Sequence, residues 1–460
     1  MLKYLVLATF VGIFFLLIRR DRIYAIPMIF ITYSNVNGLL GWEDFAMQGF
    51  IKFQDYGLLM TFTLLFLGTF SLKKTRPAYE ATVQRTPLYT AVNIYWIYYV
   101  CLFVFSILAM RSVVWPIKMG RTFFYGSIFF LIYRELLPDP IANFKKIINC
   151  LMYATIVFGL CYIAYNTLHV GIYPTEAYES FDLGGAASDV TRNFSGFPTF
   201  AYYFIFVFTN RLIQGTGNKL INAAGLGILM LCVLLMLTRG TLILTILMTT
   251  FLVLYRWPTL RNLKRLVALV VLMAVVIVLI PYVAEGHYLA MVRRFEEFSG
   301  GGLSGAKNFD VRTREFAQIF KNIMDFDPLF GFGFTLAGAF GYSSFQLHGG
   351  SADNGYSNLL GVTGFVGLGV FLSVIACWLI VNIKLQAMKI EEYSKVNFVF
   401  IIFMLGSFMN GANLSYMHAY ILFLTYDLLA YSYFTYQAKT AGTQSIMQTP
   451  AVFDRQQRAR

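Results

Sequence analysis

The chain reads as long apolar runs separated by short polar connections, and the runs recur from one end to the other. A helix needs about 20 mostly apolar residues to cross a bilayer core. About thirteen runs approach that length, roughly at 3–18, 23–40, 56–72, 88–110, 122–137, 148–165, 197–211, 220–238, 240–256, 265–284, 356–382, 396–412 and 416–436. Arg134 and Glu135 interrupt the fifth run, which leaves the count between 88 and 165 open. The pattern predicts an all-α, polytopic integral membrane protein: one transmembrane domain over 1–436 and a tail at 437–460. The first run carries its basic cluster after the apolar core and has no small-residue cleavage site, so it reads as a retained helix and not a signal peptide.

Two polar stretches break the rhythm, at about 166–196 and 285–355. Loops longer than about 15 residues in a compact protein are usually functional or disordered. Within the second, "FDVRTREFAQIFKNIMDFDPLFGFG" has helical periodicity, and Val311, Phe316, Ile319, Phe320 and Ile323 fall on one predicted face. That stretch ends in "LHGGSADNGYSN", a dense polar cluster entering the eleventh run.

Composition sharpens the class. Hydrophobic residues make up 58% of the chain and charged residues 13%, against roughly half and a quarter in soluble domains. The net charge of +13 sits in short loops and matches no nucleic-acid-binding module, so it reads as positive charge on the cytoplasmic side of a membrane. Five cysteines without a CxxC pair give no disulfide or zinc framework. Four histidines without HExxH give little support for metal catalysis, and no cofactor is implied.

Lysine and arginine bias sets sidedness. "RRDR", "KKTRPAYEATVQR", "RWPTLRNLKR", the lysines 384, 389 and 395, and "DRQQRAR" all fall on one side, which is therefore cytoplasmic. The basic stretch "RSVVWPIKMGR" (111–121) falls on the other side and conflicts with the rule. Both long polar stretches are then non-cytoplasmic. The arginines they keep there, Arg192, Arg293, Arg294, Arg312 and Arg314, need a reason, as does Arg239 in the tight turn "LTRGTL". One reason is snorkelling or pairing with Asp310 or Glu315. The other is a phosphate-bearing substrate, because guanidinium forks bind phosphate bidentately and keep their charge. Gly361, Gly364, Gly367 and Gly369 read as close helix packing. Asp427, an isolated acid inside the last run, is a functional suspect with no partner visible in the sequence.

Taken in order, "RNFSGF", "LTRGTLILTI", "RTREF", "DPLFGFGF" and "NGYSNLLGVTGFVGLGVFL" resemble the O-antigen polymerase and O-antigen ligase superfamily of bacterial inner membranes over roughly 185–385. The resemblance implies a GT-C-like fold, with a large periplasmic loop between helices 10 and 11. It implies a metal-independent glycosyltransferase that takes glycan from an undecaprenyl-pyrophosphate-linked oligosaccharide and works at the periplasmic face. The family's arginines map to Arg192, Arg239 and Arg312 as pyrophosphate ligands, with Arg314 in support. Family ligases place a histidine directly before an asparagine at the helix start. Here Asp353 precedes Asn354 and His348 lies upstream.

That departure favours a polymerase over the ligase. Asp353 is the positional match for a catalytic base and His348 the alternative, with Asn354 and Tyr356 orienting the acceptor. Asp353 is also a natural N-cap, a role compatible with catalysis. The implied partners are the lipid-linked donor, membrane lipids and a chain-length-regulating co-polymerase. A ligase acting on lipid A core and a lipid-linked oligosaccharide flippase are the competing functions. A flippase would place its ionisable groups at mid-membrane in repeated halves, and the sequence has no such repeat.

Overall fold

The computed structural model describes residues 2–34, 53–69, 77–168, 197–198, 200–236, 238–255, 307–335, 355–388, 392–408 and 417–442, with isolated helical positions between 264 and 296. Among these residues every regular element is helical. In chain order they are α1 Leu2–Arg20, α2 Ala25–Tyr33, α3 Phe53–Thr69, α4 Pro77–Gln84, α5 Pro87–Met110, α6 Val114–Phe124, α7 Ile128–Leu136 and α8 Pro140–Leu168. They continue with α9 Ala201–Gln214, α10 Lys219–Leu235, α11 Arg239–Leu254, α12 Lys307–Phe326, α13 Gly355–Ala387, α14 Glu392–Phe408 and α15 Met417–Gly442.

Local chemistry sets many of the boundaries. Helix α1 ends on Arg19 and Arg20, whose charge suits the negative end of its dipole. Asp21 then caps the short turn Arg22–Tyr24 by accepting from the Ile23 N–H at 3.2 Å, and also pairs with Lys146 of α8 at 3.1 Å. Pro87 opens α5, where a missing N–H costs nothing. Between α9 and α10, Gly215 takes the left-handed conformation that closes a helix, and the Asn218 side chain accepts from the Leu220 and Ile221 N–H groups.

Two helices organise the bundle. α15 packs against α4, α7, α8 and α13, and α13 packs against α5, α12, α14 and α15. The core around α15 is aromatic: Tyr203 of α9 stacks on Phe423 at 3.8 Å, and Phe144 of α8 stacks on Tyr426 at 3.7 Å. Outside that core, large apolar side chains stay exposed in rows of helical spacing, such as Ile97, Val104 and Leu108 on α5 and Ile243 and Leu247 on α11. Such rows suit a lipid solvent. Three described helices (Pro87–Met110, Pro140–Thr167 and Gly355–Ala387) are long and apolar enough to cross a membrane, and five more are apolar but shorter. The protein is membrane-embedded.

Several sequence expectations need revision. The run at 122–137 is not one regular helix: it takes in the end of α6, a single turn at Tyr125–Ser127 and α7. The basic stretch 111–121 is mostly helical, and one of its three cations, Arg121, is buried beside Asp55 of α3, 3.5 Å away. Arg134 sits in the last turn of α7, where it donates to the Leu64 and Leu65 carbonyls of α3 at 2.7 and 2.8 Å and pairs with buried Glu135. In the run at 23–40, the described helix is nine residues long, all buried except Ile31. α4 lies in a connection read as a plain loop, and α15 continues six residues past the expected end at 436.

Candidate active site at the broken helix

The expected amphipathic helix within 285–355 exists as α12, but its buried face is narrower than the periodicity implied. Ile319 and Ile323 are 3% and 1% exposed and pack with Phe332 and Leu360, whereas Phe316 and Phe320 are exposed. The Asp327 carboxylate ends the helix by accepting from the Leu329 and Phe330 N–H groups at 2.9 and 3.1 Å. A turn through residues 327–335 follows, with Gly331 and Gly333 at φ 67° and 68°.

This turn docks into a break in α13. Gly364 sits at φ 60°, ψ −168°, inside what is otherwise continuous helix. A break leaves carbonyls above it and N–H groups below it without their usual partners, which is costly in a membrane. The turn supplies both kinds. Phe332 and Gly333 donate N–H to the Gly361 and Val362 carbonyls at 2.9 Å each, and the Pro328 and Leu329 carbonyls accept from Phe365 and Val366 at 2.9 and 3.0 Å. The approach is so close that a Cβ on Gly364 would meet the Leu329 oxygen at 2.3 Å, and one on Gly331 would meet the Gly364 nitrogen at 2.6 Å. Helix α5 braces the same point. The Ser106 hydroxyl accepts from the Phe334 N–H at 2.8 Å, and the Tyr98 phenol donates to the Thr363 carbonyl.

Gly364 is thus a helix break and not the packing glycine expected of it. Gly367 does face a close neighbour, Tyr98, while Gly369 has nothing within 4 Å of its would-be Cβ. Nothing in the sequence named Ser106 or Tyr98. The signal for the turn was the "DPLFGFGF" spacing, where alternate glycines follow a proline, though the sequence does not indicate what they dock against.

Of the predicted site residues, those on α12 and α13 belong to the two helices that meet at this junction, and Arg239 lies on a helix that packs against α9, α10 and α14. Arg239 is the first residue of α11, directly after Thr238 in extended conformation. Arg312 and Arg314 lie in the first half of α12, and the Arg314 side chain is exposed. Tyr356 is the second residue of α13. Its phenol donates to the Leu405 carbonyl of α14 at 2.8 Å, and its ring packs on Phe408. Arg192, His348, Asp353 and Asn354 lie outside the described residues, although Asn354 directly precedes α13. At the same helix start, the Ser357 hydroxyl is fully buried with no hydrogen-bond partner among the described residues. Among those residues no group of three or more His, Cys, Asp or Glu side chains is assembled that could hold a metal.

The other polar centre is Asp427, which is not isolated. Its carboxylate accepts from Trp378 Nε1 at 2.7 Å and Asn382 Nδ2 at 3.0 Å on α13, and from Asn397 Nδ2 at 2.8 Å on α14. Tyr203 of α9 donates to Asn397, and a chain from Tyr255 through Gln386 reaches Asn382. Trp378 lies 23 residues beyond Gly355, about 34 Å along the helix, so this centre is remote from the α13 start. An apolar cavity of about 60 Å³ adjoins it, walled by Tyr95, Trp96, Phe371, Trp378 and Tyr420. No charged side chain lines that cavity, so it offers nothing to a phosphate.

Among the described residues the protein is an all-helical membrane bundle with one broken helix, against which the Arg312- and Arg314-bearing α12 packs. Residues 224–372 match the family model described as O-antigen ligase, Wzy_C. That segment, about a third of the chain, is therefore similar to the O-antigen ligase family. The match takes in Arg239, Arg312, the turn and Gly364, and ends at Leu372, before Trp378. No curated protein matches the chain.

Proposed function

We propose that the protein is a polysaccharide polymerase, extending O-antigen, capsule or exopolysaccharide at the periplasmic face of the bacterial inner membrane. Its donor would be a glycan on undecaprenyl pyrophosphate. The observation that carries this reading is the main-chain docking of the 327–335 turn into the break at Gly364. It holds α12, with Arg312 and Arg314, against the half-helix that begins directly after Asp353 and Asn354. Donor-binding and acceptor-binding segments are then parts of one rigid unit, which is what transfer between two bound sugars needs.

In the reaction, an acceptor hydroxyl attacks the donor's anomeric carbon. The new C–O bond forms as the bond from that carbon to the pyrophosphate oxygen breaks, and the lipid pyrophosphate leaves with the electron pair. Asp353 or His348 takes the hydroxyl proton, with Asn354 and Tyr356 placing the acceptor. Arg192, Arg239 and Arg312 stabilise the charge growing on the leaving group, without a metal, and Arg314 supports them. Thirteen crossings in a GT-C-like arrangement complete the reading.

The test is to incubate the purified protein with undecaprenyl-pyrophosphate-linked repeat units and resolve the products. A ladder of longer glycans supports polymerisation. Transfer only to lipid A core supports the ligase, which the description of the matched family favours. Movement across liposomes without bond formation supports a flippase. Arg239→Ala should abolish the ladder with the melting temperature unchanged, and full activity in that variant would remove the arginines from the mechanism.

A further inference from the structure

Helix α12 has three kinds of surface. Ile319, Asn322 and Ile323 form a buried stripe, packed with α13. Arg314, Lys321 and Asp325, spaced seven and four apart, form an exposed polar stripe. Between them runs a third stripe at four-residue spacing: Phe316, Phe320 and Met324, which are 42%, 39% and 51% exposed. A soluble amphipathic helix needs only the first two surfaces. The third continues past the helix end into exposed Leu329 and Phe330.

That apolar stripe is continuous with the flank of a membrane-spanning helix. The Phe320 ring meets the Phe365 ring of α13 edge-on, centroids 6.1 Å apart, and Phe365 is itself exposed. Depth along α13 follows from its 33 residues, about 50 Å of helix, which exceed the bilayer core of about 30 Å. Lys384 in the last turn marks the cytoplasmic boundary. Counting about 20 residues back from it puts the opposite boundary near Gly364. The contact between Phe320 and Phe365 therefore lies at the edge of the hydrocarbon.

We propose that α12 and its following turn form a membrane-interface element: Phe316, Phe320, Met324, Leu329 and Phe330 lie among the acyl chains of the non-cytoplasmic leaflet, with Arg314 and Lys321 at headgroup level. The occupant of the stripe is bulk membrane lipid. Helices with one basic and one aromatic face settle at this depth. The inference rests on the membrane embedding and not on the transfer chemistry. It adds to the proposed reaction that α12 sits level with the leaflet from which a lipid-linked substrate would come.

The test uses the full chain with its five native cysteines replaced, reconstituted in phosphatidylethanolamine–phosphatidylglycerol vesicles. A nitroxide is placed singly at 316, 320 or 324, at 314, 321 or 325, and at 319. Relaxation by oxygen, which concentrates in lipid, is compared with relaxation by a water-soluble nickel chelate. The first set should favour oxygen over nickel, the second set the reverse, and the two ratios should differ at least about threefold. Position 319 should resist both. Nickel access at 320 and 324 would place the stripe in water and overturn the proposal. Protection from both reagents would also overturn it, because protein would then cover the stripe, whether another segment or a second copy. No turnover is measured, so either failure leaves the reading of the reaction intact.

Discussion

The protein has two polar centres in its helical bundle, and they are built from opposite materials. At the Gly364 break, main-chain groups do most of the joining, braced by Ser106 and Tyr98, and close approach excludes a side chain at Gly331 and Gly364. At Asp427, side chains from α9, α13, α14 and α15 converge while every backbone runs as regular helix. The first lies inside the segment matching the O-antigen ligase family, and the second lies beyond its end. An acid inside a membrane helix is by default a functional suspect. Here the acid ties α15 to α13 and α14 through side-chain hydrogen bonds, whereas the break is centred on a residue with no side chain.

The sharpest way to break this contrast is Gly364→Ala. Positive φ and the Leu329 oxygen oppose the added methyl together, a cost of about 4 kcal/mol when strain and overpacking are combined. Glycan transfer should fall to background, even in protein that still elutes as a monodisperse peak. Asp427→Ala comes next. It strands three buried donors at a cost of about 3 kcal/mol, read as a lower melting temperature in detergent. Transfer per folded molecule should stay within about twofold of the parent, since the two centres are far apart. A dead but fully stable Asp427→Ala enzyme would reverse the roles assigned to the two centres.

Arg134→Ala tests whether a third polar contact behaves like the inner one. It removes the bonds to the Leu64 and Leu65 carbonyls and the ion pair with Glu135. About 2 kcal/mol of stability should go, again with activity retained. The smallest effect belongs to Gly369→Ala. Its Cβ would meet nothing within 4 Å, so stability should change by about 0.5 kcal/mol or less, toward stabilisation because alanine is the better helix former. Together with Gly364→Ala, it separates the glycine that breaks the helix from one that only lies along it.

Much of the architecture was legible because lipid enforces a simple code. Apolar length located α1, α3, α5, α9, α10, α11, α13 and α14 closely, and four-residue spacing located α12. The code failed where polar groups find partners that no local pattern reveals. Arg121 looked like a charge on the wrong side until Asp55, 66 residues earlier, was seen beside it. Arg134 and Glu135 looked like an interruption but form the end of a helix anchored to α3. At the candidate site, residue types and their order were legible. The Gly331–Gly364 contact was not, because hydrogen bonds between backbones leave only a glycine behind as a sequence trace.

The two centres also differ in when they can form. The turn and the break lie about thirty residues apart in the chain, a short loop to close. Residues 327–366 therefore contain everything that junction's main-chain bonds require. The Asp427 centre joins Tyr203 to Asn397 across 194 positions and waits for α15. During synthesis from the N-terminus, the site can take shape first, and Asp427 then locks the finished bundle around it.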